Sequence, residues 1–324
     1  MEAAEQQRLT PQINYQYTFT VFTPTYNRAY TLHRVYKSLK KQTYRDFEWL
    51  IIDDGSTDRT CELVEQWQKE AELNICYIYQ ENQGKYIAWN HGVQEAKGEL
   101  FLCLDSDDEC VPDALERLKY HWDSILEKQQ NKTSSVVCLC RYRNGDLIGT
   151  KFPKNVTYSD YLEMQYKFKV KGDKWIVDKT EILRNFPLPV VKGTKTVGIG
   201  LVGNILARNN FKLRFVNEAL LIKEYLPDGI SLCTDCSKHA VGAAFLHANS
   251  LNEDLEWFWY APLTFLRWAV HYSRFSFHAG TSIIDQLKKL NTTLGKVLWL
   301  LALPLGYLLY IKDRFFKESY EQHL

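Results

Sequence analysis

Four apolar runs in the first hundred or so residues each stop at a polar or acidic loop, and each loop leads toward a stretch of helical periodicity. No other feature narrows the possible folds as much. Tyr17–Phe22 stops at Thr23-Pro24-Thr25-Tyr26-Asn27-Arg28, and Phe47–Ile52 stops at Asp53-Asp54-Gly55-Ser56-Thr57-Asp58. Cys76–Tyr79 stops at Gln80–Lys85, and Phe101–Leu104 stops at Asp105-Ser106-Asp107-Asp108-Glu109. Short apolar runs bounded by turn residues read as buried strands, whereas Leu32, Val35, Tyr36 and Leu39 recur at helical spacing. Pro24 has no N–H to give a sheet, so the first strand is expected to end before it. Gly55 permits a sharp turn, and Ser56, Thr57 or Asp58 can cap the next helix. Strands and helices alternating at this spacing predict a Rossmann-like α/β fold with a mostly parallel, doubly wound sheet. Ligands of such sheets bind outside the carboxyl ends of the strands, where these loops collect.

The loop after the fourth run carries the most chemistry. Asp105 and Asp107 are one residue apart, so a turning loop can aim both at one point. Clustered carboxylates repel one another unless a cation sits among them. A hard divalent ion, Mn²⁺ or Mg²⁺, answers that need and prefers phosphate oxygens as further ligands. A solvated acidic loop, or carboxylates capping a helix near Pro112, is the plainer alternative. None of the four runs is followed by a Gly-x-Gly-x-x-Gly fingerprint or a Walker A loop, and Gly84-Lys85 resembles the latter only superficially. Phosphates therefore need another holder, and a metal at Asp107 supplies one.

The 324 residues are 45% hydrophobic, ample for one large α/β domain with an extension. A net charge of +1 speaks against nucleic acid as a partner. The 8 cysteines are scattered among apolar stretches rather than set out as a disulfide framework, which fits a reducing compartment. Cys233 and Cys236 form a lone Cys-x-x-Cys near His239, with no second pair at zinc spacing. Residues 1–16 read as a loose, polar leader without an apolar signal core.

Thr23–Arg28, Asp53–Asp58, Asn82–Lys85 and Leu104–Asp108 follow one another in the order seen in family 2 glycosyltransferases of the GT-A fold, which residues 17–120 resemble. The resemblance implies a nucleotide-sugar donor, usually a UDP-sugar, a divalent metal, and inversion at the anomeric carbon. It implies that Pro24, Thr25 and Tyr26, in the loop that ends at Arg28, touch the base and ribose. Asp53 or Asp54 would read the uracil edge, and Asn82, Gly84 and Lys85 would lie near the nucleotide. Asp105 would approach the ribose, and Asp107 would hold the metal between the phosphates. Two plainer roles stay open: Asp53 as a capping aspartate in a tight turn, and Tyr26 as core packing.

In the second half, 113–130 reads as helix, Ser135–Cys140 as a strand, and Asn144-Gly145 as a hairpin turn with 147–150 returning. Thr157–Met164 reads as a short helix, Gly172–Val177 as a turn and strand, and Phe211–Val216 as a strand ending before Asn217-Glu218. No linker intervenes. The expected organisation is a catalytic domain at 17–250, with a nucleotide-sugar half at 17–120 and an acceptor half at 121–250, then an apolar helical extension at 251–324. Gly172-Asp173-Lys174, Asn217-Glu218, Tyr225-x-x-Asp228-Gly-x-Ser231 and Arg274-Phe-Ser276 resemble a bacterial subgroup found among polysaccharide and capsule enzymes. That subgroup usually carries a Glu where Val191–Leu201 has no carboxylate. An inverting displacement needs a group to take the acceptor's proton, and Asp173, Asp228 and Glu218 are the substitutes. Their plainer roles are a turn at Asp173, a turn at Asp228-Gly229, and a Glu218–Lys223 ion pair. Lys192 and Lys195 could neutralise phosphates of a lipid-linked acceptor or sit on a solvated face.

Val297–Ile311 is an almost unbroken apolar run, short for a bilayer and expected to kink at Pro304 and Gly306. Trp299, Tyr307 and Tyr310 suit a headgroup region, and Lys312, Arg314 and Lys317 suit anionic lipid. The alternative is a helix packed on protein. Together these readings predict an inverting glycosyltransferase of cell-surface polysaccharide synthesis, using a UDP-sugar, Mn²⁺ or Mg²⁺, and a glycan or lipid-linked acceptor. It would be cytoplasmic and attached to the inner face of the membrane through 297–317. The competing expectation, kept alive by the missing Glu near Ile199, is a catalytically weak sugar-nucleotide-binding or scaffolding homologue.

Overall fold

The computed structural model describes residues 14–226, 228–229 and 237–321. Its first half runs β1 (Tyr17–Thr25), α1 (Ala29–Lys40), β2 (Phe47–Asp53), α2 (Thr60–Glu70), β3 (Ile75–Tyr79), α3 (Lys85–Glu95), β4 (Gly98–Cys103), β5 (Glu109–Cys110), α4 (Ala114–Asp123) and α5 (Glu127–Gln130). Then come β6 (Thr133–Tyr142), β7 (Tyr158–Ser159), β8 (Lys174–Lys179), α6 (Thr180–Asn185), α7 (Leu201–Arg208) and β9 (Lys212–Lys223). The chain closes with α8 (Ala240–Glu253), α9 (Pro262–His278), α10 (Ile283–Lys288) and α11 (Thr293–Glu321).

One mixed sheet takes the order β3-β2-β1-β4-β8-β6-β9-β5, with β7 also on β9. β1 to β4 are mutually parallel, and β8 is antiparallel to both of its neighbours. Side chains alternate strictly between two cores. Trp49 and Ile51 face the α1, α2 and α4 layer, whereas Leu50 and Ile52 face α3 and α7. Helices on both faces explain why these strands read as continuous apolar runs.

Several local expectations give way to tertiary context. β1 runs through Pro24 to Thr25, paired with β2 alone, because β4 ends opposite Phe22 and leaves no ladder there for Pro24 to break. β9 runs straight through Asn217-Glu218: its register on β6 jumps from Val137↔Phe215 to Leu139↔Ala219, so this polar pair occupies a bulge. Tyr158 and Ser159 pair with β9 as a short strand, so helix begins only at Tyr161, with Asp160 Oδ1 accepting the Glu163 N–H at 2.8 Å. The Asn144-Gly145 turn forms, but its return is only a single bridge, Arg141↔Leu147. The helix expected over 113–130 breaks after Asp123. The leader through residue 13, the end of the Tyr225–Ser231 motif, and both residues of the Cys-x-x-Cys pair lie outside the described residues. The 6 described cysteines are free.

The C-terminal helices form their own core around Leu251, Phe265, Ala269 and Tyr272. Asp254, fully buried, takes Arg208 of α7 at 2.6 Å and ties this layer to the sheet. α11 continues through Pro304, and Thr293–Phe315, 23 residues, is long and apolar enough by length and composition to cross a membrane. The short-run expectation for 297–311 is thereby corrected. Gly306 is also a close contact: a Cβ there would meet Ser273 at 2.5 Å. Trp299 is also corrected. It is buried, its Nε1 donating to Gln286 at 3.1 Å, and so is unavailable to a headgroup. Arg274 and His278 both hold Asp313, fastening α9 to α11.

Candidate active site

The acidic loop is set by β4's neighbours. Thr23 Oγ1 donates to the Leu104 carbonyl at 2.8 Å, Trp175 Nε1 donates to the Cys103 carbonyl at 2.6 Å, and the Asp108 N–H closes a turn onto the Asp105 carbonyl at 3.0 Å. Asp105, Asp107 and Asp108 thereby bring carboxylate oxygens within 4.8 Å of one another. β5 then pairs antiparallel with β9, Glu109 against Ile222 and Cys110 against Leu221. The same register carried one step further sets Asp108 beside Lys223, whose Nζ lies 3.1 Å from Asp108, 3.4 Å from Asp173 and 3.9 Å from Asp105.

Charge in this cluster is unevenly shared. Burial works against ionisation of Asp105, yet Lys85, 2.6 Å away, and Lys223 outweigh it and hold the carboxyl well below the usual range. Burial and the Asp105 charge push Asp107 up. Burial pushes Asp108 up to about 7, with Asp105 and Asp107 adding to it and Lys223 opposing. Asp108 Oδ1 is buried without a partner. Three adjacent hard oxygen donors, one of them orphaned, suit a divalent cation such as Mg²⁺ or Mn²⁺.

Two cavities meet at this cluster. The first, about 380 Å³, gathers Pro24, Thr25, Tyr26 and Arg28 from the β1 loop, Asp54 from the β2 loop, and Asn82, Gly84 and Lys85 from the start of α3. Asp107 and Asp228 also line it. Asn27 zips the first two loops together, accepting the Thr57 N–H at 2.8 Å. Asp54 shapes the third, accepting the Gln83 and Gly84 N–H groups at 2.9 and 2.8 Å. Gly84 has φ +101, and a Cβ there would lie 1.9 Å from the Lys195 carbonyl, so only glycine fits. Tyr26 is 49% exposed on the rim and is not core packing. Asp53 stays outside this cavity: its oxygens take the Ser56 N–H at 2.8 Å and the Tyr77 hydroxyl at 2.7 Å, the turn-closing alternative.

The second cavity, about 520 Å³, shares Lys85, Asp105, Asp108 and Lys223 with the first and extends over β8 and α7. Asp173 lines it, its side chain 48% exposed, with Tyr225 donating to Oδ2 at 3.0 Å. Ile199 and Gly200, from the stretch without a carboxylate, line it as well. The other two base candidates are placed differently. Asp228 is held by the Arg28 guanidinium and by the Tyr30 hydroxyl at 2.7 Å; that hydroxyl and Arg28 keep its carboxyl low. Glu218 lines neither cavity. It points from the bulge to Arg117 at 2.6 Å and His121 at 2.8 Å, and Arg117's hydrogen bonds hold it down to about 2. Its expected partner Lys223 is engaged at the acidic cluster instead.

A family model described as glycosyl transferase family 2 matches residues 20–185, half of the chain. The chain belongs to that family. Among curated members it is 37% identical over 101 residues to the GalNAc(5)-diNAcBac-PP-undecaprenol beta-1,3-glucosyltransferase of Campylobacter jejuni, covering 31% of this chain and 32% of that one. It is 29% identical over 157 residues to the putative glycosyltransferase EpsH of Bacillus subtilis, covering 46% and 43%. The chain spans about a third of the length of the first curated relatives it matches. Its GT-A fold extends further: S. aureus TarS 1-349 in complex with UDP-GlcNAc superimposes over 94% of this chain and 92% of that one, TM-score 0.58, at 19% identity. The place of Lys223 at the acidic cluster is what sequence reasoning missed, having set it only against Glu218. Its signal was present: a strand of apolar residues, Ala219-Leu-Leu-Ile, ends in a lone cation at its carboxyl end, the same rule that singled out Asp105.

Proposed function

We propose that this chain is a metal-dependent, inverting glycosyltransferase that moves a sugar from a UDP-sugar to a glycan or lipid-linked acceptor in cell-surface polysaccharide synthesis. One observation carries it: the acidic cluster stands where two cavities meet, one built from the loops after β1, β2 and β3. In this reading the first cavity takes the nucleotide, with Pro24, Thr25, Tyr26 and Arg28 around base and ribose. Asp54, rather than Asp53, faces the base, and Asn82, Gly84 and Lys85 flank the nucleotide. Asp107, with Asp105 and Asp108, would hold Mn²⁺ or Mg²⁺, which when bound supplies Lewis-acid stabilisation of a diphosphate leaving group.

The chain's own groups have separate tasks. Lys85 and Lys223 keep Asp105 ionised and bring positive charge to the place where leaving-group charge grows. Asp173 takes the proton of the acceptor hydroxyl as general base. It is the base candidate in the second cavity, and Tyr225 and Lys223 fix its Oδ2. Two comparisons support donor and acceptor class: TarS was solved with UDP-GlcNAc, and the Campylobacter relative acts on an undecaprenol-linked glycan. A mannosyltransferase of the same fold, PcManGT, was solved with Mn²⁺. We assign 17–250 to catalysis, its donor half at 17–120 and acceptor half at 121–250, and 251–324 to attachment at the cytoplasmic face of the membrane. The outward Leu301 and Leu308 of α11, 70% and 64% exposed, support that attachment.

Calorimetric titration of UDP with and without Mn²⁺, on wild type and Asp107→Asn, tests the donor site. Tight binding that requires both is the expected result. Equal binding without metal and in the variant refutes it. Turnover of UDP-sugar by wild type but not by Asp173→Asn separates an enzyme from a binding-only homologue.

A further inference from the structure

Beyond the 520 Å³ cavity lies another of about 220 Å³, and the two share Tyr161, Gln165 and Gly200 as a common wall. The far side of the smaller cavity is made by the C-terminal layer, from Leu246, His247 and Ser250 of α8 and Trp268 of α9. Tyr161 is seated in that wall by two glycines. A Cβ at Gly203 of α7 would come within 2.5 Å of its ring, and one at Gly200 would lie 3.1 Å from its hydroxyl. The ring thus packs directly on the backbone of α7, with space on either side.

The lining has a definite chemistry. Two aromatic residues, Tyr161 and Trp268, accompany neutral polar groups on Gln165, Asn204, His247 and Ser250. No Asp, Glu, Lys or Arg lines it among the described residues. Burial, with the His271 charge adding to it, pushes His247 down to about 4, so it too is neutral. A phosphate would call for cations, and an acyl chain would cover the Gln165 amide without pairing it, whereas the Asn204 amide already donates to Asp254 at 3.4 Å. A neutral sugar ring, with an apolar face and a hydroxyl edge, matches both parts of the lining.

We propose that this cavity is a second acceptor subsite, holding the neutral sugar unit next to the one that reacts, with Tyr161 positioning the acceptor chain between the two cavities. The assignment rests on the larger cavity being the acceptor site. It makes the substrate class an oligosaccharide of at least two units. It also gives the C-terminal layer a part in recognition, through Trp268 and His247.

The test uses the full chain loaded with UDP and Mn²⁺ on an array of neutral mono- to tetrasaccharides of hexoses and N-acetylhexosamines. Wild type is expected to bind a disaccharide or longer glycan about tenfold more tightly than its terminal monosaccharide, the value of one added aromatic contact. Trp268→Ala is expected to lose that preference. Leu246→Trp, which fills the cavity from α8 without leaving a hole, is expected to lose it too, with UDP affinity and melting temperature unchanged. Equal binding of mono- and disaccharide overturns the subsite, as does binding of charged glycans alone or of no glycan while UDP still binds. Loss of UDP binding by wild type overturns the donor reading, and this assignment with it.

Discussion

Among the described residues Lys223 is the one cation shared by Asp105, Asp108 and Asp173, and its removal tests both the cluster and its proposed metal. At 3.1, 3.4 and 3.9 Å, and an effective dielectric of about 20, each contact is worth roughly 4–5 kcal/mol before desolvation. Asp173 is half exposed, so its share is largely screened. Asp108 and Lys223 are well buried, and removing one partner of a buried pair costs about 3–5 kcal/mol. Lys223→Met, which keeps the apolar stem, should therefore lose about 3 kcal/mol without metal, a melting shift on the order of 4 °C for a chain of this length. Sign and pH follow from Asp108. Its folded pKa of about 7 lies above the usual carboxylate value, so the stability it contributes is full in acid and falls as pH rises through that interval. Without Lys223 that fall extends to higher pH, so the deficit of the variant should be larger at about pH 8 than at about pH 5. The assay is thermal melting in chelator and in millimolar Mn²⁺. Mn²⁺ should raise the melting temperature of Lys223→Met by more than that of wild type, because the ion replaces the missing charge. Equal shifts, or a metal-free variant that melts with wild type, would refute the reasoning.

The remaining predictions are separable from this one. Asp173→Asn should lower kcat by about 10²–10⁴-fold with UDP affinity unchanged, whereas Glu218→Gln should leave kcat alone and lower the melting temperature through its lost charge to Arg117 and His121; steady-state kinetics and calorimetry distinguish them. Asp178 is buried in the second cavity, where burial pushes it up to about 7 against the Ser135 hydroxyl at 2.5 Å. Its stabilising contribution is present in acid and declines up to about neutral pH, so Asp178→Asn should be more stable than wild type at about pH 8 and lose that advantage near pH 4, read by melting across pH. Leu301→Glu with Leu308→Glu should abolish sedimentation with anionic vesicles while leaving UDP binding intact; co-sedimentation undiminished by the pair would remove α11 as the attachment surface.

Much of the first cavity was legible in the chain itself, because its signals are local. Apolar runs that stop at Asp, Asn, Gly and Pro specify parallel strands ending in one row of loops, and any sheet that pairs them collects Pro24, Asp54, Gly84 and Asp107 at one edge. Asp53 and Asp54 mark the limit of that reasoning: adjacent residues on a strand point to opposite faces, and only the packing of Tyr77 against Asp53 decides which is consumed by structure. The side of the sheet that carries the second cavity was less legible, because β8, β6 and β9 interleave out of sequence order and β9 bulges at Asn217-Glu218. That bulge turns Glu218 toward Arg117, and the β5–β9 register carries Lys223, more than a hundred residues away in sequence, to Asp108. The α7 glycines tell the same story, since their meaning comes from Tyr161 about forty residues earlier. What the sequence determined by itself was the order of strands, helices and polar loops, which depends on neighbours a few residues apart. Which carboxylates share a cation, which are buried in turns, and which cavity each faces depends on pairings between distant strands, and these only the tertiary structure decided.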